Sequence, residues 1–359
     1  MRKILFLLLS LGLLSLLYSC TDFKNTPQFS DKEFTIVFYN VENLFDTIAI
    51  DGKMDEEFTP NSKKKWDSKK YHHKLKQLAT VIDSIGGAYL PDVVALEEVE
   101  NLAVLQDLVK QKSIAAADYQ IIHYESPDFR GIDNALLYNP QSFKVLQQEA
   151  IPITMPDSIG TLGNHPITTR DILYVKGIVR ENDTIHILVN HWTSMYFGEE
   201  ETVPHRRYCA YVAQEKIAAI KDENPNAKII LGGDLNEDAF GPAMLAEIKP
   251  DTINYNNPKS DRMYNLAHYL YTVKAKGSYN YKGVWGILDH IIISGNLLNS
   301  NSSIYTTAHR IDVFDSPMVL NYYNNSYGKG NRPNRSYAGN NYYGGFSDHL
   351  PIYLTFTIQ

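Results

Sequence analysis

The chain is short of cysteine, of excess positive charge and of long apolar runs, and each shortage narrows what it can be. Cys20 and Cys209 are its only two cysteines among 359 residues. Cys209 falls inside an apolar-periodic helical stretch and Cys20 closes a leader, so an exported product has no internal disulfide. Stability must then come from a large core, which a hydrophobic content of 44% can supply. Cysteine clusters and His-x-x-x-His spacing are also missing, which argues against a zinc centre. Lys and Arg total 34 against 41 Asp and Glu, a formal charge of -7. Strong non-specific attraction to a polyanion does not follow from that balance, and a bound divalent cation would supply locally the positive charge the chain lacks. No Pro/Ser-rich linker, composition break or solenoid-period repeat divides the sequence, so one large domain over 33–359 is expected.

The long apolar run near the start, Ile4 to Leu17, is too short to span a bilayer as a helix. It follows Arg2 and Lys3 and precedes the small residue Ser19, the order of a secretory signal over residues 1–20. Leu17-Tyr18-Ser19-Cys20 resembles a bacterial lipobox, with Tyr18 where a small residue is usual. That resemblance implies lipidation of Cys20 as the mature N-terminus, followed by a polar tether over 21–32. The expectation is an exported lipoprotein held to a membrane through the lipid on Cys20, in the outer membrane, periplasm or cell surface of a Gram-negative bacterium. No obligate protein partner is evident.

Further on, apolar strands repeatedly end in acids, amides or imidazoles. Phe34 to Asn40 has strand character, and period two places Asn40 on the face of Phe34, Ile36 and Phe38, with Glu42 and Asn43 just beyond. Tyr71, Leu75, Leu78, Ala79, Ile82 and Ile85 recur at helical spacing between Asp67 or Ser68 and Gly86-Gly87. The lysines from Lys63 to Lys76 at the start of that helix read as a solvated face rather than an anion-binding surface. Pro91 to Leu96 is a buried strand type that delivers Glu97, Glu98 and Glu100. A helix is expected over 101–112, a strand pair over 119–123 and 135–138, and strands over 171–179 and 185–189, the last running into Asn190 and His191. A second long helix is expected over 205–221. The strand Ala227–Leu231 leads to Asp234 and Asn236, and Ile287–Ile293 carries Asp289. Near the C-terminus, Asp348 and His349 stand where a loop enters the strand Ile352–Ile358. Strands outnumber helices, so a two-sheet core with helices outside is the natural architecture.

Those strand ends offer mostly hard oxygen donors, which suit Mg²⁺ or Mn²⁺ sharing a site with a substrate phosphate. Six motifs then resemble the endonuclease/exonuclease/phosphatase superfamily, the DNase I-like fold. They are Tyr39-Asn40-Val41-Glu42-Asn43, Leu96-Glu97-Glu98-Val99, Asn190-His191-Trp192, Gly233-Asp234-Leu235-Asn236, Leu288-Asp289-His290 and Ser347-Asp348-His349. The resemblance implies a four-layer α/β/β/α sandwich of two facing mixed sheets with outer helices. By position it implies Glu98 as main metal ligand, Asn40 beside the metal, and Asp348 holding the metal or its waters. Glu97 stands where the family has Gln, and alternation alone does not choose between the two acids. Asp289 would orient His349, Asp234 and Asn236 would position and polarise the attacking water, and His191 with Asn190 would contact a phosphate oxygen. Which of His349 and Asp234 removes the water's proton stays open.

Arg130 and Arg170, near strand ends, could add phosphate contacts, with ordinary surface pairing as the alternative. The implied function is a metal-dependent phosphoester hydrolase, first a phosphodiesterase or endonuclease, alternatively a phosphatase or a phospholipid- or sphingomyelin-type phosphodiesterase. Its substrate would be nucleic acid, a lipid headgroup or a small phosphoester. The aromatic stretch Asn321 to Tyr343 could stack bases or sugars, or be a self-packed loop. A non-catalytic surface binding lipoprotein is the reading from another class, and none of the positions expected of an enzyme is lost.

Overall fold

In the computed structural model, which describes residues 30–162, 165–181 and 183–359, the apolar run after Lys32 is the centre of a sheet. The leader over 1–20, Cys20 and most of the expected tether lie outside the described residues. The strand Glu33–Leu44 pairs in parallel with Val93–Val99 and antiparallel with the C-terminal strand Ile352–Ile358. Asp133–Tyr138 and Gln120–His123 extend this sheet on one side, Ile304–Tyr305 and Ile311–Val313 on the other, for seven strands. A second sheet of six orders Met263–Asn265, Asp289–Ser294, Lys228–Asp234, Asp183–His191, Ile172–Val179 and Phe143–Ile151. Both sheets are mixed, each with one parallel neighbour pair among antiparallel ones.

The two sheets face each other across an apolar layer of alternating inward side chains, the expected consequence of period-two patterning. The approach is close where Phe38 meets Gly232: a Cβ there would lie 2.6 Å from the Phe38 ring. Helices cover the outer faces. Ser68–Ile85, capped by the Asp67 carboxylate on the Lys70 N–H, buries Leu75, Leu78, Ala79, Val81 and Ile82. Val203–Glu223 buries Cys209, Ala210, Ala213, Ile217 and Ile220 over the outer side of the second sheet, against Leu188, Ile229 and Leu231. Among the described residues no helix is long and apolar enough to cross a membrane.

Two local expectations need correction, and one strand was not expected. Lys74 is not on a solvated face: it is buried, and its Nζ donates to Ser336 Oγ at 2.7 Å and to the Phe346 carbonyl at 2.5 Å. The aromatic stretch is not one loop but a hairpin, Leu320–Asn325 with Gly328–Pro333, followed by the short pair Tyr337–Ala338 and Asn341–Tyr342. The hairpin closes where Gly328 takes φ +97 and the Asn325 side chain accepts the Tyr327 N–H. Phe143–Ile151 is a strand that alternation does not announce, because it lies at the sheet edge, half-exposed and broken by a bulge between Val145 and Gln147.

Gly233, just before Asp234, has φ +123, and a Cβ there would lie 2.0 Å from the Asn190 carbonyl oxygen. Gly233→Ala is therefore expected to lower the unfolding free energy by about 1–3 kcal/mol from backbone strain, with more from the clash. Urea denaturation of the variant beside the parent chain measures this, and equal midpoints would refute it.

Candidate active site

The site lies where the strands of both sheets end, and two bulges shape it. The first strand loses register between Asn40 and Leu44, with Glu42 at φ 52 and Asn43 at φ 56. Its neighbour does the same between Glu97 and Val99, with Glu98 at φ 66. A left-handed residue breaks the two-residue alternation. The two acids consequently have different surroundings. Glu97 is completely buried, and neither carboxyl oxygen has a hydrogen-bond partner. Glu98 accepts the Asn43 N–H at 2.9 Å and Arg130 Nη2 at 3.1 Å.

Asn40 joins two groups of acids. Its Nδ2 donates to Asp234 Oδ2 at 3.0 Å, across from one sheet to the other, and its Oδ1 accepts the Glu42 N–H at 3.0 Å. The inner group is Asp234, Asp289 and His349, all buried, whose candidate ligand atoms lie within 4.8 Å of one another. His349 Nδ1 donates to Asp289 Oδ2 at 2.8 Å, and its Nε2 is 3.7 Å from Asp234 Oδ2. Ser278 Oγ donates to Asp289 Oδ2 at 2.6 Å, and the Tyr279 ring lies over the imidazole with centroids 4.7 Å apart. Asp234 Oδ1 accepts the Asn236 N–H, and His191 Nε2 stands 3.6 Å from Oδ2. The outer group is Glu42, Glu98 and Asp348. Arg335 bridges two of them, with Nε 3.2 Å from Glu42 Oε1 and Nη2 2.9 Å from Asp348 Oδ2.

Burial and charge set these groups apart electrically. Burial opposes charge on His349, but Asp289 and Asp234 outweigh it and hold the imidazolium well above its ordinary range. His191 has the reverse balance: burial, then Arg170 and Arg130, keeps it neutral. Burial pushes Asp234 up to about 6 against the pull of His349. Glu97 is raised well above the usual carboxylate range by burial and then by Asp289 and Asp234. Glu98 goes down despite burial, because Arg130 sits on it. Burial pushes Lys74 down to about 8 against the opposing fields of Glu42, Asp348 and Glu98. Arg335 links Glu42 and Asp348, and Glu98 stands on Arg130 nearby, so the outer group offers the oxygen donors that a hard divalent cation takes. Within the site the compact ligand group is nevertheless the inner one, with a second such group at His123, Glu125 and Asp133, and Glu42, Glu98 and Asp348 do not close to that spacing among the described residues.

Of the residues expected at the site, Asn40, Asp234, Asp289 and His349 meet directly, and Asn236, His191, Glu98 and Asp348 surround them. Asn190 and Arg170 do not fit a substrate contact. Asn190 is fully buried, donating to the Leu188 carbonyl and accepting from Trp192 Nε1, so it holds the turn beneath His191. Arg170 is buried with Nη1 on Asp128 and Nη2 on the Trp192 carbonyl. Arg130 does reach the site, but on Glu98. Ser278, Tyr279 and Lys74 escaped the sequence reading as site residues. Nothing local marks the first two, and a lysine in the core face of Ser68–Ile85 was the available sign for the third.

Residues 35–357 match the model of a family described as the endonuclease/exonuclease/phosphatase family. Among curated proteins no sequence matches. A Bacteroides thetaiotaomicron protein of that family is similar in structure, with TM-score 0.56 and 15% identity over 91% of this chain and 98% of that one. A mannosyl-6-phosphatase from Bacteroides thetaiotaomicron gives 0.55 and 15% over 90% and 99%. Truncated Caenorhabditis elegans TDP2 gives 0.53 and 17% over 90% and 97%. At such identities the likeness is one of fold: two facing mixed sheets with helices outside.

Asp289→Asn tests the imidazolium. Stability gained from a raised His349 is fully present below its ordinary value near 6.5 and is lost as pH rises through the folded value. The variant is therefore expected to lose about 3–5 kcal/mol at pH 5.5 and progressively less at alkaline pH. Its His349 resonance should titrate lower by NMR. A stability gap independent of pH would contradict the assignment.

Proposed function

We propose that this chain, which belongs to the endonuclease/exonuclease/phosphatase family, is a divalent-metal-dependent hydrolase that activates a water for in-line attack on a phosphoester. The observation that carries the reading is the buried line Asp289–His349–Asp234, with 2.8 Å on one side of the ring and 3.7 Å on the other. Asp234, raised towards neutrality, takes the water's proton, and Asn40 and Asn236 fix its two oxygens. His349, held as imidazolium by Asp289, turns Nε2 towards the oxygen on which charge develops. This assigns the base to Asp234 rather than His349. Neutral His191 adds a second imidazole beside the same carboxylate without repelling the first as a charge would.

The outer carboxylates fit Mg²⁺ or Mn²⁺: Glu98 and Asp348 would hold the ion, with Glu42 and Asn40 beside it. Bound there, the ion would supply neutralisation of charge on the phosphoryl oxygens. Glu97 is read as a buried neutral group beneath the site rather than a ligand, because burial and then Asp289 and Asp234 raise it well above the usual carboxylate range.

Motif similarity favours a phosphodiester substrate, as in a nuclease. A specific observation favours a second reading, a small phosphoester. Arg335, Arg130, Arg170 and Lys74, the cations around the site, are all committed to the protein's own acids, hydroxyls or carbonyls. A long polyanion needs free cations along its track. Export and lipidation at Cys20 belong to the proposal on sequence grounds alone.

The mature chain is to be assayed on plasmid DNA, RNA, a phosphodiester lipid and a soluble phosphomonoester, with Mg²⁺, Mn²⁺ or EDTA. One class should be cleaved and chelation should abolish it. Asp234→Asn and His349→Ala are each expected to lower kcat by about 10²–10⁴-fold. Glu98→Gln should weaken metal activation, and Glu97→Gln should keep it. Chelator-insensitive turnover, or no turnover by a folded chain, would count against the reading.

A further inference from the structure

Arg335 lies between the hairpin ending at Pro333 and the short pair starting at Tyr337, far in sequence from the acids it meets. Its guanidinium touches Glu42 from the first strand and Asp348 from the last loop, 3.2 and 2.9 Å away. These are two of the three carboxylates of the outer group, and one planar fork bridges both, its single charge standing where a divalent cation would bring two. The other nearby cation has a different character. Lys74 is buried and fixed by Ser336 Oγ and the Phe346 carbonyl, so its Nζ cannot turn away from this place. Arg335 instead has 39% of its side chain exposed, on a long flexible stem. It also borders a cavity of about 110 Å³ lined with Glu42, Asn43, Trp66, Lys74 and Tyr337, which gives the guanidinium somewhere to turn. The Glu42 carboxylate keeps other donors if Arg335 leaves, since Oε2 accepts the Ser336 N–H at 2.6 Å. The acid therefore stays in place while its counter-ion changes.

We propose that Arg335 is an internal counter-ion that competes with a divalent cation for Glu42 and Asp348, so that its hold on them sets the cation affinity of the site. The inference rests on the metal-dependent reading above. Arg335 is a positioning residue in this scheme. Exchange of guanidinium for metal keeps positive charge beside Glu42 and Asp348 in both conditions, one unit from Arg335 or two from the ion, which suits acids this enclosed.

The test is Mn²⁺ binding to the purified full chain, read as free Mn²⁺ by electron paramagnetic resonance and without reference to turnover. Arg335→Ala and Arg335→Gln are expected to bind Mn²⁺ at least tenfold more tightly than the parent chain, and Arg335→Lys to fall between. Arg332→Ala is the control for simple loss of a positive charge: Arg332 sits on the hairpin, bonded to the Tyr327 and Gly328 carbonyls, and its loss should shift affinity less than twofold. If the alanine variant folds poorly by circular dichroism, the glutamine and lysine variants decide. Equal affinity in the parent, Arg335→Gln and Arg335→Lys, or weaker binding in the variants, overturns the competition while leaving metal dependence standing. Absence of Mn²⁺ binding in every form overturns both.

Discussion

The hydrogen bond from Asn40 to Asp234 ties together everything else in the site. It spans the gap between the sheets at the point where both strands end, one step beyond the apolar contact of Phe38 with Gly232. A buried amide is costly unless its donor and acceptor are used, and Asn40 uses both, one on Asp234 and one on the Glu42 N–H. Ser347 adds a third tie by donating to the Asn40 carbonyl, which fixes the loop that carries Asp348 and His349. One residue thereby ties the two sheets, through its side chain, to the start of the bulge at Glu42 and, through its backbone carbonyl, to the loop carrying Asp348 and His349.

Around this tie the protein gathers more negative charge than a buried site tolerates without compensation. The compensation is arranged in two ways. Inside, Asp234 and Asp289 flank the His349 imidazole, and burial with these two acids raises Glu97 well above the usual carboxylate range. Outside, Arg130, Arg335 and Lys74 balance Glu98, Asp348 and Glu42. The inner charges are locked by packing, with Tyr279 over the ring and Ser278 against Asp289. The outer cations reach their acids from loops and a helix, and two of them are partly exposed. Packed charges and partly exposed ones thus occupy neighbouring but different layers.

Asp289 and His349 were legible as candidates because each lies in or adjoins an apolar strand, while their pairing came from the family resemblance. Asp234 and Asn236 followed from the Gly-Gly turn after a buried strand. The choice between Glu97 and Glu98 was not legible, since it depends on a left-handed residue at Glu98 that no residue type demands. Arg170 looked like a surface cation near a strand end. Its burial arises from Asp128 and the Trp192 carbonyl, partners 42 and 22 residues away.

Periodicity and turn residues by themselves determined the two-sheet architecture, and the order of six short motifs pointed to the family. These are local properties: alternation of two or of 3.6 is written into consecutive residues and needs no partner. Tertiary structure alone decided which acid is exposed to the site, which carboxyl keeps its proton and which cation guards which acid. Those depend on distances between segments up to 293 residues apart, as in Arg335 and Glu42, and on burial produced only when both sheets close. Charge states follow desolvation and neighbours rather than residue type, so they become defined only in the folded chain.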